Sequence, residues 1–373
     1  MSFWHGCNYP WSTDGQTVFY GMDFGANLWG SHLGVSTRRP QIERDFAQMA
    51  ALGFTVARWF VFGDGRSGIA YDDRGLPTGP DAHVFTDLDA ALTIAGQVGI
   101  RLNLVLLDHQ WMFAGIPDVI ADPSTGALLK TRLPQGRARV LRTGAGREAL
   151  MSSVIEPLVA RFGDRGARAD LAPHVFAFEF MNEPDFVVEE WERDLSPRVV
   201  RPLQFESLAE LVSSLSALVH AHTKALTTMS CARLENLWAW DDPALDLDCV
   251  QLHSYPDTRH PQRDRDVFGT PAASLDMTRP VILGEFPCDG PRRHPADCSP
   301  PPWTLDDYLE FALRDGYAGA WPWSFSGTDA YGRVPEEPLR AFAKRHPELV
   351  NPLARGDGGN GGDGGNGLTG ETE

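Results

Sequence analysis

Short apolar runs alternate along the chain with stretches in which apolar residues recur every three or four positions. The runs have the length and the β-branched and aromatic content of buried strands, whereas the wider spacing is that of amphipathic helices. Eight runs predict strands, at residues 18–28, 54–62, 101–107, 174–181, 225–231, 248–253, 280–286 and 317–323. Strands that alternate with helices in this way form a parallel sheet with right-handed crossovers.

Four of the stretches between the runs predict helices with one apolar face. Their apolar stripes are Ile42, Phe46, Met49 and Ala50; Leu88, Leu92, Ala95 and Val98; Phe205, Leu208, Val212, Leu215 and Val219; and Leu305, Tyr308, Leu309 and Ala312. Pro40 and Gly53 mark the two ends of the first helix. Thr86 with Asp89, and Thr304 with Asp307, have the spacing of capping boxes. After the fifth and sixth strands the pattern is weaker, so we expect reduced helices there.

Eight strand–helix repeats close naturally into a barrel, and 373 residues suit one such domain with insertions. A doubly wound open sheet is the competing fold. It would carry a Gly-rich phosphate turn after the first strand, which Gly25-Ala-Asn-Leu-Trp-Gly30 does not supply. We therefore predict an α/β fold, a single (β/α)₈ TIM barrel over residues 1–354.

Two connections are long, residues 108–147 after strand 3 and residues 185–202 after strand 4. Both leave the carboxyl end of a strand, which is the face where barrels hold their active sites. The Gly-, Asp- and Asn-rich end of the chain, residues 355–373, is too short to stack as a calcium-binding repeat. We expect a disordered tail there.

The formal net charge of −17 argues against nucleic acids and anionic membranes as partners. No apolar run approaches the roughly 18 residues of a transmembrane helix. One basic stretch departs from this acidic balance, formed by Lys130, Arg132, Arg137, Arg139, Arg142 and Arg147. It would suit an acidic sugar, although a solvated loop is the usual role of such a run. The sequence gives no indication of the oligomeric state.

The first residues, Met1-Ser-Phe-Trp-His-Gly-Cys7, do not combine a charged leader with an apolar stretch. We expect a cytoplasmic protein, with secretion left open if a leader has been removed. The five cysteines, Cys7, Cys231, Cys249, Cys288 and Cys298, lack zinc-type spacing and are expected to be reduced. In an exported protein, Cys288 and Cys298 would be close enough in sequence to pair.

Two apolar runs end on a glutamate, in Phe180-Met-Asn-Glu183-Pro184 and in Val281-Ile-Leu-Gly-Glu285. A carboxylate at the end of a buried strand costs desolvation energy unless it has a partner or a use. Either glutamate alone would fit a structural ion pair, but strands 4 and 7 would bring both to one face of a barrel. Hydrolysis of a glycosidic bond through a covalent intermediate needs such a pair, about 5–5.5 Å apart.

Asn182-Glu183-Pro184 and Leu283-Gly-Glu285-Phe286 resemble the acid/base and nucleophile motifs of the clan A glycoside hydrolases. The resemblance is closest to family 5, which holds cellulases and mannanases, and it covers roughly residues 20–325. Further positions similar to the family's are Arg58 on strand 2, His109 after strand 3, His253 and Tyr255 on strand 6, and Trp323 on strand 8, with Trp321 as the alternative.

The resemblance implies distinct roles for the two glutamates. Glu183 must stay protonated to donate to the leaving oxygen, which requires its pKa to be raised by burial and by the charge of Glu285. Glu285 must stay ionised to attack, and Arg58 and Tyr255 are suitable partners for its carboxylate. Asn182 would hydrogen-bond the sugar 2-OH in the oxocarbenium-like state.

The remaining candidates would orient or bind the substrate. His109 and His253 would orient the sugar or the carboxylates, and Trp323 offers a flat face for a pyranose ring. Arg58 as a structural counter-ion and either histidine as a core residue are the alternatives that remain open. The tryptophans Trp29, Trp59, Trp111, Trp321 and Trp323 lie near predicted strand ends, which favours a sugar-binding cleft.

These features predict a retaining β-glycoside hydrolase that acts by double displacement on a β-mannan, a β-glucan or a derived oligosaccharide. The long loops favour exo action or short substrates. No metal or organic cofactor is implied, because no ligand cluster of metal type is present in the sequence. A transglycosylase using the same residues and a non-catalytic sugar-binding barrel are the alternative functions.

Overall fold

The computed structural model describes residues 3–12, 23–26, 32–65, 67–113, 117–121, 128–132, 137–197, 199, 202–255, 267–288, 303–327 and 331–355. Eight parallel strands close into a barrel in chain order, and the first strand pairs with the last. The strands are β1 (Trp4–Asn8), β2 (Val56–Phe60), β3 (Arg101–Asp108), β4 (Val175–Asn182), β5 (Leu226–Cys231), β6 (Cys249–His253), β7 (Val281–Glu285) and β8 (Gly319–Ala320). The predicted (β/α)₈ fold is confirmed.

Helices surround the barrel. They are α1 (Arg39–Ala51), α2 (Val84–Gln97), α3 (Arg137–Arg142), α4 (Gly144–Leu150), α5 (Glu156–Arg161), α6 (Phe205–His222), α7 (Leu305–Arg314) and α8 (Glu336–Arg345). A π-helical segment, Met151–Ile155, joins α4 to α5. In the part of the chain that the structure describes, no helix has both the length and the apolar character needed to cross a bilayer.

Shorter elements fill the connections. Two hairpins pair Ile69–Tyr71 with Pro77–Pro80 and Pro117–Ala121 with Leu128–Arg132. The 3₁₀ helices are Val35–Thr37, His109–Met112, Ala169–His174, Pro184–Phe186, Glu189–Asp194, Leu234–Asp241, Pro243–Leu245, Ala272–Leu275 and Pro352–Arg355. The described residues after β5 and β6 contain only such short turns, as the weak apolar pattern there predicts.

The prediction of the first strand was wrong. β1 lies at Trp4–Asn8, and the described part of the predicted run, residues 23–26, forms no barrel strand. The run at β1 lacks an apolar signature because Gly6 and Asn8 share its inward face with Trp4, so small and polar residues interrupt the apolar positions. Asn8 donates hydrogen bonds to the backbone oxygens of Gly284 (2.9 Å) and Trp321 (3.0 Å). At Gly6, a Cβ would overlap the Trp321 indole.

One of the two predicted helix caps is confirmed. Thr304 and Asp307 form a capping box, with Asp307 N donating to Thr304 Oγ1 at 3.1 Å. The predicted start at Thr86 was wrong, because α2 begins at Val84. Asp81 accepts hydrogen bonds from the backbone amides that open this helix, including that of Val84 at 3.2 Å.

The barrel interior has two zones. An apolar cluster fills one zone, formed by Val56, Phe176, Ala177, Cys249, Ile282, Ala318 and Trp321. Further along the strands lie fully buried polar side chains, Asn8, Arg58, Asn103, Glu179 and Gln251. This polar zone lies directly beneath the carboxyl ends of the strands. Residues beyond 355, which contain the predicted tail, lie outside the described residues.

Candidate active site

Glu183 and Glu285 meet at the carboxyl-end mouth of the barrel. Glu285 is the last residue of β7, and Glu183 follows the last residue of β4. Donor atoms of Glu183, His253 and Glu285 all lie within 4.8 Å of one another. Both carboxylates are buried, at 9% and 4% exposure for Glu183 and Glu285. The topology thus joins two residues that are remote in the sequence.

Glu285 is held by two donors, one on each oxygen. Nη1 of Arg58 donates to Oε1 at 2.7 Å, and the hydroxyl of Tyr255 donates to Oε2 at 2.8 Å. Burial raises the pKa of the Glu285 carboxyl, and these two hydrogen bonds oppose the rise. Burial and the neighbouring Glu285 charge raise the pKa of Tyr255 well above its usual value, so its hydroxyl stays a donor.

Glu183 is paired with a histidine. Its Oε1 lies 2.8 Å from Nδ1 of His253, and the same nitrogen lies 3.5 Å from Oε1 of Glu285. Nε2 of His253 is buried with no hydrogen-bond partner in the described part of the chain. Nδ1 can therefore donate to a Glu183 carboxylate or accept from its carboxylic acid, depending on the tautomer.

The backbone at Glu183 is in an unusual conformation for a residue with a side chain. Its φ of 44° and ψ of 56° lie in the left-handed region, which costs about 1–2 kcal/mol for an L-residue. The turn is held by Glu183 N, which donates to Ser230 Oγ at 3.0 Å. The buried Asp185 holds it as well, accepting from Ala232 N (2.8 Å) and Asn236 Nδ2 (2.9 Å). Such strain persists where surrounding contacts fix it, commonly at functional sites.

Asn182 is the last residue of β4 and contacts the same arginine as Glu285. Its Oδ1 accepts from Nη2 of Arg58 at 2.7 Å, and its Nδ2 donates to Oδ2 of Asp108 at 2.8 Å. Asp108 therefore fixes the orientation of the amide, with one Nδ2 hydrogen directed to Asp108. Asp108 was not singled out from the sequence, although it ends the apolar run of strand 3, as the glutamates end theirs.

His109 follows Asp108 at the same mouth. Its Nδ1 lies 3.5 Å from Asp108 Oδ2. Its ring contacts Phe113 (centroids 5.4 Å apart) and Phe186 (5.0 Å), which belong to the loops after β3 and β4. The structure thus brings His109 to the predicted face, on the side bounded by β3 and β4.

Among the predicted tryptophans, Trp323 lies at the site. It is 6% exposed and makes edge-to-face contacts with Trp11 (5.8 Å) and Phe60 (6.2 Å). Tyr255 belongs to the same aromatic cluster, and Tyr331 packs on its ring at 4.7 Å. Trp11 was missed in the sequence because it follows the unrecognised strand β1.

Three other tryptophans belong to the core, which corrects their reading as cleft residues. Trp321 is fully buried in the apolar interior cluster, and its Nε1 donates to Trp4 O at 3.1 Å. Trp59 and Trp111 are also fully buried, outside the barrel wall. Proximity to a strand end does not distinguish inward packing from exposure at the mouth. Trp29 lies outside the described residues.

The two long loops are connected to each other. Phe113, after β3, forms an antiparallel bridge with Val199, after β4. Arg137 is buried and donates to the backbone oxygens of Gln110 (2.9 Å) and Phe113 (3.5 Å), so this member of the basic stretch supports the loop. Arg147 pairs with Glu210 at 3.1 Å on the surface.

Four of the five cysteines lie among the described residues, and all four are buried. Cys7, Cys231 and Cys249 are buried free thiols, and burial raises the pKa of Cys249 to about 12. Cys288 is also buried, and its proposed pairing partner Cys298 lies outside the described residues.

Glu183, His253 and Glu285 are also the described residues whose donor atoms are close enough to hold a metal ion. Here the guanidinium of Arg58 already occupies one side of Glu285, 2.7 Å from Oε1. A second cation beside that positive charge would be repelled. The donor set therefore fits proton transfer and sugar binding better than metal binding.

No protein-family model matches the sequence, and no curated protein matches it. Among solved structures, this one is similar to an endo-1,4-beta-mannanase from Eisenia fetida, with 18% identity, a TM-score of 0.66, and 95% of this chain and 91% of that chain covered. It is similar to a beta-1,4-D-mannanase from Cryptopygus antarcticus, with 16% identity, a TM-score of 0.66, and coverage of 95% and 90%. It is also similar to an exo-beta-1,4-mannosidase from Opitutaceae bacterium strain TAV5, with 16% identity, a TM-score of 0.57, and coverage of 95% and 60%. At these identities the likeness shows that this chain has the (β/α)₈ fold of these enzymes.

Proposed function

We propose that this protein hydrolyses β-linked mannosides with retention of anomeric configuration. The proximity of the two glutamates carries the proposal: one carboxylate oxygen of Glu183 and one of Glu285 lie within 4.8 Å of each other. Retaining glycosidases hold their carboxyl groups about 5–5.5 Å apart, whereas inverting ones leave room for a water at about 6.5–9.5 Å. The two glutamates have different partners, which suits different roles: Arg58 and Tyr255 favour an ionised nucleophile at Glu285, and His253 favours proton exchange at Glu183.

In the first step, Glu285 is the nucleophile and Glu183 the acid. An Oε atom of Glu285 forms a bond to the anomeric carbon while the glycosidic C–O bond breaks, and Glu183 gives its proton to the leaving oxygen. Arg58 and Tyr255 fix the attacking carboxylate before the reaction. The products of this step are a glycosyl ester of Glu285 and the free leaving group.

In the second step, Glu183 is the base. Its carboxylate takes a proton from water, the water oxygen bonds to the anomeric carbon, and the ester bond to Glu285 breaks. His253 Nδ1, 2.8 Å from Glu183, stabilises the carboxylate form by donating to it. Two inversions at one carbon restore the original β configuration.

A β-1,4-mannoside is the substrate that the comparisons favour over a β-glucan, because the similar structures named above are mannanases and a mannosidase. The bridge between Phe113 and Val199 supports a cleft that is bounded on the β3–β4 side. This favours the release of short products over random internal cleavage. Random internal cleavage of a long mannan would contradict that part of the proposal.

The test is hydrolysis of an aryl β-mannoside, followed by proton NMR of the first-formed sugar. We expect the β anomer first; an α anomer first would overturn retention. Glu285→Gln should abolish most turnover, whereas azide should rescue Glu183→Ala on an activated aryl glycoside. Glu210→Gln, which changes a surface glutamate of α6, is the matched control and should remain active.

A further inference from the structure

Glu179 is a third carboxylate in the barrel, fully buried beneath the glutamate pair on β4. It stands between two phenylalanines in an apolar run, which by its pattern predicts only a buried strand. Nε of Arg58 donates to its Oε2 at 2.8 Å, and Nη2 donates to its Oε1 at 2.6 Å. Glu179 therefore holds the guanidinium with two parallel hydrogen bonds, the strongest and most directional form of this pairing.

All five hydrogens of the Arg58 guanidinium are used. Two go to Glu179, and the others go to Glu285 (2.7 Å), Asn8 (3.0 Å) and Asn182 (2.7 Å). Because the guanidinium is a rigid plane, fixing one edge of it fixes the direction of the others. The two hydrogen bonds to Glu179 thus fix the direction of Nη1, which points at Glu285.

In the polar zone of the barrel, negative charges outnumber positive ones around Arg58. Arg58 carries one positive charge and contacts two carboxylates, those of Glu179 and Glu285. Burial alone would raise the pKa of Glu179, but the Arg58 charge outweighs it and holds that pKa below its usual value. Asn103 (2.8 Å) and Gln251 (2.9 Å) add neutral donors to Glu179 Oε2.

We propose that Glu179 is a positioning residue for the nucleophile: it aims Arg58 at Glu285 and takes up part of the guanidinium charge. This inference rests on the proposed hydrolase function. A carboxylate facing the whole charge of a buried arginine would be a weaker base and a weaker nucleophile. By sharing Arg58, Glu179 leaves Glu285 fixed in place but reactive.

Few other charges face Glu285 in the described part of the chain. The titratable and charged groups around it are Arg58 from β2, Glu179 from β4, Glu183 from the turn after β4, and His253 and Tyr255 from β6 and its end. Asp108, at the end of β3, is a further buried carboxylate at this mouth and accepts a hydrogen bond from Asn182. The strands β1, β3 and β5 also contribute the uncharged side chains of Asn8, Asn103 and Ser230. Loss of the Glu179 charge would therefore act mainly through Arg58 on Glu285.

Three variants test the inference: Glu179→Gln removes the charge, Glu179→Asp keeps it but shortens its reach, and Gln251→Met removes a neutral donor to the same oxygen. In Glu179→Gln we expect kcat/KM on an aryl β-mannoside to fall about 100-fold, as for a misplaced catalytic group. The acidic limb of its pH profile should move to lower pH by about one unit. The reason is that Glu179 no longer shares the positive charge of Arg58, which then acts more strongly on Glu285. In Glu179→Asp the acidic limb should stay at the pH of the wild type while kcat falls, because the charge is kept but its position changes. In Gln251→Met the acidic limb should also stay in place, because only a neutral donor is lost.

The inference would be overturned if folded Glu179→Gln kept both the acidic limb of the pH profile and the kcat of the wild type. It would also be overturned if the acidic limb moved equally in Glu179→Gln and Gln251→Met. If Glu179→Gln does not fold, Glu179→Asp decides: a wild-type kcat there contradicts positioning, and a reduced kcat with an unmoved limb supports it. A ¹³C NMR titration of Glu285 separates this inference from the proposed function. A lower Glu285 pKa in Glu179→Gln supports charge sharing even if no mannoside is hydrolysed, a result that would overturn only the hydrolase proposal.

Discussion

The hydroxyl of Tyr255 donates to Oε2 of Glu285 at 2.8 Å, on the carboxylate oxygen that Arg58 does not contact. A hydrogen bond to a buried charged group contributes about 1.5–3 kcal/mol. The tyrosine therefore supports the ionised form of Glu285 independently of the arginine.

Tyr255→Phe should move the acidic limb of kcat/KM to higher pH. Losing a donor to the carboxylate raises the Glu285 pKa, because the ionised form loses a hydrogen bond that stabilised it. The direction is opposite to that expected for Glu179→Gln. The measurement is the pH dependence of aryl β-mannoside hydrolysis, with Tyr317→Phe as the control, since Tyr317 OH donates to Thr270 O away from the site. A limb that stays in place would show that Tyr255 does not stabilise the charge of Glu285.

His5 should make the protein sensitive to acid. Its ring is stacked between Phe54 (4.8 Å) and Phe342 (5.1 Å), and burial lowers its pKa to about 3. The unfolded chain, with a histidine pKa near 6.5, binds the proton more tightly, so the stability conferred by neutral His5 is lost as pH falls below about 6.5. Between pH 7 and pH 5 the loss is about 2 kcal/mol.

His5→Phe tests this expectation. Phenylalanine fits the same aromatic stack and carries no proton, so the variant should lose less stability between pH 7 and pH 5 than the wild type. Urea unfolding at both pH values measures the difference. Equal losses in the two proteins would rule out His5 as the source.

His220 should act in the opposite direction on the surface of α6. Its ring nitrogens lie 2.9 Å from Asp246 and 3.0 Å from Asp248. Partial burial lowers its pKa, but hydrogen bonds to the two aspartates outweigh this and raise it overall. A raised folded-state pKa stabilises the protein fully below about pH 6.5, and the contribution is lost as pH rises through the folded-state value.

His220→Gln should therefore reduce stability at pH 6 and have little effect at pH 9. Because the pair is largely exposed, the loss at pH 6 is about 0.5 kcal/mol. Thermal unfolding at the two pH values measures it, and His222→Gln in the same last turn of the helix is the control. A larger loss at pH 9 than at pH 6 would contradict the ion pairs.

The left-handed backbone of Glu183 predicts a stability order for its variants. Glu183→Gly should be more stable than Glu183→Ala by about 1 kcal/mol, because glycine adopts a φ of 44° without steric cost. Both remove the same carboxylate, so the comparison isolates the backbone. Chemical denaturation of the two proteins measures the order, and the reverse order would indicate that the turn relaxes when the side chain is removed.

The general arrangement could be predicted from the sequence because its signals are local. Each apolar run, each helical stripe and the Asn182-Glu183-Pro184 motif is formed by residues that lie close together in the sequence. Strand β1 could not be found this way, since Asn8 faces the interior and finds its partners across the barrel. Glu179 was hidden for the same reason: its partner Arg58 is 121 residues away.

The tryptophans show a second limit. Trp321 and Trp323 are two residues apart at the end of one short strand, yet one is packed in the interior and the other lies at the mouth. Sequence spacing places both near the end of the strand but does not give the point at which the strand leaves the barrel wall. The chain leaves the barrel wall soon after β8, which is only two residues long and ends at Ala320, so Trp321 and Trp323 both follow the strand.

The short contact between β1 and β8 makes the first and last strands the seam of the barrel, with the paired residues Trp4 and Gly319, and His5 and Ala320. Asn8, just beyond this seam, contacts both Arg58 and the backbone of β7 next to Glu285. The surroundings of Glu285 are thus complete only when the two ends of the barrel have met. The proposed hydrolase activity should consequently report on full closure of the ring, and detachment of β1 or β8 should inactivate the protein before its helices unfold.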